Sequence, residues 1–206
     1  MALDPSFVVP SKTAIVINEA QRGVVGDLTS LPMAAEAARD AVGNIGRLVR
    51  LGRKAGVQVI HCVAMSREDG KGANTNTIFA GRRRKDGEPT PDVRAHAQVV
   101  PEIGVEPEDF LIERIHGMTP MSDTEIDPIL RNMGISTVIA AGGSLNVGVL
   151  GLVFEAMNKS YTVVVPRDAV WGVPKEYGDL VLQNSVRMMA RLTSVDELAE
   201  IWSAAT

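Results

Sequence analysis

The feature that most constrains this chain is an alternation of short β-branched runs with helix-length amphipathic segments, which begins at Thr13 and continues to the C-terminal region. Thr13-Ala14-Ile15-Val16-Ile17 has no polar interruption, as expected of a parallel strand buried on both faces, and it ends in the polar pair Asn18-Glu19. Ala34 to Ala55 carries Ala38, Val42, Ile45, Leu48 and Val49 at helical spacing, and Gly56 follows as a C-terminal cap. Further strands are read at Val57–Val63, Phe110–Ile112, Thr137–Ala141 and Tyr161–Val165, with Arg191-Leu192-Thr193 as a short last one. Helices are read at Ile126–Met133, closed by Gly134, then from about Val147 to Asn158, Lys175–Met189 and Val195–Trp202. Ser122-Asp123-Thr124-Glu125 has capping-box spacing, and Ser194 with Glu197 repeats it before the last helix. This order implies an α/β fold of three layers: a parallel sheet with right-handed crossovers and helices on both faces. No repeat or linker divides it, so residues 1–206 are read as one domain. In such folds ligands bind beyond the carboxyl ends of the strands.

Charge and composition narrow the partners. A net charge of −4 argues against nucleic acid, whose phosphates need a basic surface. The exception is Arg82-Arg83-Arg84-Lys85, read as a solvated loop beside Asp86 and Glu88, or else as a patch that steers an anionic substrate or touches a neighbouring subunit. It lies in a polar stretch from Met65 to about Asp92, longer than most connections in compact domains and therefore a candidate functional loop. One cysteine excludes an internal disulfide, and no charged segment followed by an apolar one opens the chain, so the cytoplasm is the expected compartment. No apolar run approaches the roughly 18 residues of a membrane helix.

Three segments match a family pattern in order and spacing. Ile15-Val16-Ile17-Asn18-Glu19-Ala20-Gln21 corresponds to a strand ending in Asp-Met-Gln, with Glu19 at the aspartate. Phe110-Leu111-Ile112-Glu113-Arg114 puts Arg114 where a lysine is expected, and Gly142-Gly143-Ser144-Leu145-Asn146-Val147-Gly148 matches a Gly-Val-Ala-Thr-Asn-Val-Cys turn with Gly148 at the cysteine. With Val163-Val164-Val165-Pro166-Arg167-Asp168-Ala169, the chain resembles the isochorismatase-like, or cysteine hydrolase, superfamily from Thr13 onward. The resemblance implies a Rossmann-like six-stranded parallel sheet in the order 3-2-1-4-5-6, a site at the carboxyl edges of strands one, three and four, and a cis peptide in the strand-four turn, assigned to Gly143-Ser144. It also implies a homo-oligomer, dimer or tetramer, paired through helices beside the site.

All three catalytic positions are altered. Gly148 offers no nucleophile, so an ordinary cysteine amidase is excluded, but true isochorismatases also carry glycine there and hydrolyse a vinyl ether without covalent catalysis. Glu19 can perform the proton transfer of the missing aspartate, and desolvation would raise its pKa toward a useful value. Arg114 is always charged, so its role is electrostatic; a Glu19–Arg114 ion pair would equally serve as a structural bond that holds the glutamate ionised. Cys62 is read as a buried inert thiol, with His61 on the opposite strand face. The three histidines, His61, His96 and His116, lack metal-ligand spacing, so neither a metal nor a cofactor is expected. His116 is a candidate substrate contact or a solvated loop residue, Trp171 a pocket wall or a packing residue, and Asn146 a helix cap or an amide donor to substrate. Ser144 joins the candidates through its backbone amide, and Asp168 is read as a structural hydrogen-bonding residue.

Two functions lead from the sequence, and a different reaction through another group, Cys62 included, stays open behind them. One is hydrolysis of a small molecule, an anionic one among the candidates, by Glu19-assisted water attack or ether protonation, with Arg114 and the 144–148 amides stabilising negative charge. The other is a catalytically silent small-molecule-binding or assembly protein that keeps the pocket.

Overall fold

The computed structural model describes residues 2–77 and 92–204. Seven strands form one sheet: β1 (Thr13–Asn18), β2 (Gln58–Ala64), β3 (Phe110–Arg114), β4 (Thr137–Gly143), β5 (Thr162–Pro166), β6 (Val170–Trp171) and β7 (Arg191–Thr193). Their order is β3-β2-β1-β4-β5-β7, and every pair is parallel. The sixth place thus falls to the short Arg191–Thr193 run, as the sequence suggests. The two-residue β6 was not foreseen; it pairs with the end of β4, Gly142 opposite Val170 and Gly143 opposite Trp171.

Six α-helices are found among the described residues: α1 (Pro32–Ala55), α2 (Val93–Ala97), α3 (Ile126–Asn132), α4 (Gly148–Asn158), α5 (Lys175–Asn184) and α6 (Val195–Ala204). The two-residue period of the strands sorts their side chains into two cores. Ile15, Ile17, Val59, Ile139, Ala141 and Val164 face α1 and α6, where Ala38, Ala41, Ile45, Leu48, Val49, Leu198 and Trp202 cover them. Ala14, Val16, Ile60, Cys62, Val138, Ala140, Val163 and Val165 face α3, α4 and α5, against Ile126, Leu130, Val149, Leu152, Val153 and Leu182. β1 is therefore buried at all six positions, which explains its unbroken apolar run. At the β3 edge the pattern becomes an alternation: Ile112 and Arg114 are buried while Leu111 and Glu113 are exposed.

Local chemistry fixes most boundaries. Gly56 adopts the left-handed conformation, φ 82°, and its N–H closes the last turn of α1 on Gly52 and Arg53. Ser194 accepts a hydrogen bond from the Glu197 N–H at 3.2 Å, as a helix cap does, but the Glu197 carboxylate reaches Leu3 N (2.7 Å) and Thr193 Oγ1 (2.6 Å) instead of closing the box. The expected capping box at Ser122–Glu125 is not made: α3 has no side-chain cap, and Ser122 Oγ donates to Glu155 together with Thr119 Oγ1. That carboxylate, projecting from α4, outcompetes the local backbone. The predicted Lys175–Met189 helix ends at Asn184, and a 3-10 turn covers Val186–Met188.

The long stretch after β2 ends at Asp92, which caps α2, its carboxylate accepting from Ala95 N at 3.0 Å. The Arg82–Lys85 run lies outside the described residues. No helix among the described residues is long and apolar enough to cross a membrane.

Candidate active site

The register of the three central strands decides what meets at the carboxyl edge. Asn18 ends β1 opposite Cys62 of β2 and Gly142 of β4, and Ala64 of β2 lies opposite Arg114 of β3. The chain leaves β1 at Glu19 in the left-handed conformation (φ 56°), uncommon for a residue with a Cβ, and the Glu19 N–H donates to Cys62 O at 2.8 Å. The turn throws the glutamate side chain sideways into the crevice. There it forms an ion pair with Nη2 of Arg114, which stands two residues beyond Ile112, the β3 residue in register with Asn18 through Cys62.

Arg114 is almost fully enclosed, its side chain 3% exposed. Its Nη1 donates to Gly117 O and to His116 O (3.2 Å), so the guanidinium ties the loop after β3 to Glu19, while Nε is buried without a partner. Glu19 keeps a quarter of its surface open. Burial still dominates its ionisation: the carboxyl is pushed above its usual 4.5, with the Arg114 charge and hydrogen bond pulling the other way without reversing the shift.

Two cavities meet at this carboxyl. The larger, about 400 Å³, is walled by Val24, Met118, Gly143, Ser144, Asn146, Val147, Gly148, Trp171 and Val173, with the start of α1 (Leu31 to Ala34) at its mouth. The smaller, about 290 Å³, has a mixed lining that includes Ser66, Asn74, Thr77, Arg114 and His116 beside Met65, Ile115 and Met118. Glu19 and Met118 belong to both. Of the residues singled out from sequence, Glu19, Ser144, Asn146, Gly148 and Trp171 therefore share one cavity, whereas Arg114 and His116 stand in the next. A hollow of about 440 Å³ outside β3, lined by residues such as Arg67, Asp69 and Glu113, does not include Glu19.

The turn after β4 contains the cis peptide Gly143-Ser144. Trp171 lies against it: a Cβ on Gly143 would come 2.1 Å from the indole, so glycine lets the ring close the wall. Leu145 N–H donates to Trp171 O (2.7 Å), and Val147 N–H to Ser144 O (3.1 Å). Asn146 is not the cap of α4, which has no side-chain cap; the residue before the helix is Val147. The Asn146 amide instead exchanges two 3.1 Å hydrogen bonds with the backbone of Val173, just ahead of the cis Val173-Pro174 bond, and pins the far wall.

Asn18 carries weight that sequence reading missed. Strand alternation turns its fully buried amide toward α4, where Nδ2 donates to Gly143 O at 2.5 Å. A Cβ on Gly148 would lie 2.2 Å from that nitrogen. The volume that a side chain at 148 would need is thus already occupied by Asn18. The polar pair Asn18-Glu19 at the end of a buried strand was the available signal; the contact partner was not readable. Met118 and Val173, which wall the cavity from loops, left no periodic signal.

Cys62 is buried under the site, and burial pushes its thiol up to about 11, with Arg114 opposing the shift. His61 faces the other side of the sheet toward Asp109 (3.2 Å), which Arg53 also holds. Asp168 accepts from Val195 N at 3.0 Å, which anchors the start of α6. No cluster of three or more His, Cys, Asp or Glu side chains is gathered among the described residues.

An α/β sheet with its crevice at the ends of β1, β3 and β4, beside a cis peptide turn, is the arrangement that the resemblance implied. The isochorismatase domain model matches residues 13–197, and the chain belongs to the isochorismatase family of hydrolases. It is 26% identical over 189 residues to the uncharacterized isochorismatase family protein YwoC of Bacillus subtilis, covering 92% of this chain and 93% of that one. Its fold is similar to that of a cysteine hydrolase from Pseudomonas syringae pv. phaseolicola (TM-score 0.79, 18% identity, covering 100% of this chain and 98% of the other). It is also similar to that of N-carbamoylsarcosine amidase from Thermoplasma acidophilum (TM-score 0.70, 22% identity, 90% and 97%).

Proposed function

We propose that the protein hydrolyses a small molecule without a covalent thiol step, with Glu19 as general acid and base and Arg114 as its electrostatic partner. One observation carries this reading: Glu19 is the only ionisable side chain lining the larger cavity among the described residues. Its raised pKa suits proton transfer. In its neutral form Glu19 hands a proton to the leaving oxygen or nitrogen as water adds to the carbon and the C–O or C–N bond breaks, and the carboxylate then formed, held by Arg114, recovers a proton from that water. Leu145 and Val147 have committed their N–H groups. Stabilisation of developing negative charge therefore falls to the amides of Ser144, Asn146 and Gly148. Cys62 takes no part, being buried and poorly ionised.

The Glu19–Arg114 ion pair favours a second reading, a silent binding protein in which the pair is structural. A panel of amides, vinyl ethers and small esters, assayed with the wild type, Cys62→Ser and Glu19→Gln, separates the two. Hydrolysis that survives Cys62→Ser and falls about a hundredfold or more in Glu19→Gln supports the enzyme. Loss in Cys62→Ser with retention in Glu19→Gln overturns the mechanism, and no turnover by any form favours the silent protein. We further propose a homo-oligomer, for which Tyr177 and Leu180 on α5 and the adjacent Met188, respectively 53%, 55% and 81% exposed, offer an apolar face.

A further inference from the structure

We infer that the larger cavity selects an uncharged, mainly hydrocarbon substrate and rejects its carboxylate analogue. This rests on the reading of that cavity as the substrate site and narrows the candidates left by the sequence. Its described wall holds no Lys, Arg or His. Val24, Met118, Val147, Trp171 and Val173 present apolar surface, and the mouth continues it with Leu31 and Met33, 52% and 61% exposed.

The cation of the neighbouring cavity does not compensate. Arg114 belongs to the neighbouring cavity, and its two terminal nitrogens are held by Glu19 and by the carbonyls of His116 and Gly117. An anion in the larger cavity would therefore give up its hydration with Glu19 as the only other formal charge among the described wall residues, and that charge is of the same sign. The start of α4 at Val147 and Gly148 offers a helix N-terminus, but this amounts to about half a unit of positive charge against a whole one on an ionised Glu19. Asn146, which would hydrogen-bond a polar ligand, has both ends of its amide engaged by Val173.

What remains is one polar spot beside Glu19, made of Ser144 and the free turn amides, in an apolar chamber of about 400 Å³. Pockets of that size with one convergent polar patch suit a ring or branched chain bearing a single carbonyl or ether. The reacting group would then sit at the Glu19 end, with the hydrocarbon body toward α1.

Calorimetric titration at pH 8 with cyclohexanecarboxamide and cyclohexanecarboxylate, nearly equal in shape, tests the inference. The amide should bind at least tenfold more tightly. Leu31→Arg, at an exposed position on the rim, should leave the melting temperature unchanged and narrow that ratio at least threefold. Glu19→Gln should strengthen carboxylate binding, because the opposing charge is gone. Equal or tighter binding of the carboxylate by the wild type, or binding of neither probe at millimolar concentration, overturns the inference. The acid–base reading fails separately: if Glu19→Gln retained full turnover, Glu19 would not be the proton-transfer group, while the amide preference measured on the wild type would stand.

Discussion

Replacing Gly148 with alanine should destabilise the protein although it adds a single methyl group to a position open to a cavity. Built on the backbone, that methyl lies 2.2 Å from Asn18 Nδ2, where ordinary contacts begin at 3.4 Å, so the amide has to retreat by more than an ångström. It cannot do so and keep the 2.5 Å hydrogen bond to Gly143 O, and Asn18 is fully buried, so no water replaces the lost partner. Losing a buried hydrogen bond costs about 1–3 kcal/mol and overpacking about another 1–3, while alanine recovers up to about 1 in helix propensity. The expected net loss is about 1–6 kcal/mol, read by urea denaturation of both proteins. The double variant Asn18→Ala/Gly148→Ala supplies the control. With the amide gone the nearest groups left to the methyl are Gly143 O and Met118 O, both at 3.2 Å, so adding it to Asn18→Ala should cost much less than adding it to the wild type, a coupling of about 1 kcal/mol or more. A Gly148→Ala protein within about 0.5 kcal/mol of the wild type, or strictly additive losses, would refute the steric argument.

Cys62 should resist iodoacetamide at pH 8 in the folded protein and react on unfolding, since its pKa of about 11 and its burial leave little thiolate; rapid labelling of the native state would contradict this. His61 is buried with its pKa below the usual 6.5 through desolvation, which the Asp109 carboxylate only partly offsets. The unfolded chain therefore binds its proton first, and the stabilisation present above pH 6.5 should be lost as the pH falls through the folded value; denaturation midpoints between pH 7.5 and 5 should show it, less so in His61→Gln. Arg114→Lys keeps the charge but cannot bridge Glu19 and two carbonyls in one plane, so turnover should fall about tenfold or more while Arg114→Ala also loosens the loop after β3; equal activity in the lysine variant would remove the positioning role. Light scattering should return a multiple of 22.0 kDa, and a monomer at micromolar concentration would reject the oligomer.

Much of the fold was legible because its determinants are local or periodic. The unbroken apolar, β-branched runs of β1, β2, β4 and β5, the helical spacing in α1 and the glycines at 56 and 134 each encode their element in a few consecutive residues. Failures came where a distant group competed for a local signal. Ser122 could have capped α3 but is drawn to Glu155, and Asn146, next to a helix, is engaged by Val173, 27 residues away. The same limit governs the site. The resemblance of Ile15–Gln21, Phe110–Arg114 and Gly142–Gly148 was enough to pick out Glu19, Arg114 and Gly148. It could not tell that Arg114 would stand in a separate cavity or that Asn18 would fill the space at 148, since both depend on three-dimensional register across β1, β3 and β4.

The central claim is that Glu19 can carry a proton at the working pH in spite of its arginine partner. Its carboxyl carbon, labelled with carbon-13 and assigned by comparison with Glu19→Gln, reports this ionisation directly. The account predicts a titration above the 4.5 of an ordinary glutamate, because burial outweighs the attraction of Arg114. A resonance that stays ionised down to pH 4 or below would mean that the ion pair holds Glu19 as a fixed anion, and the acid–base mechanism would have to be abandoned.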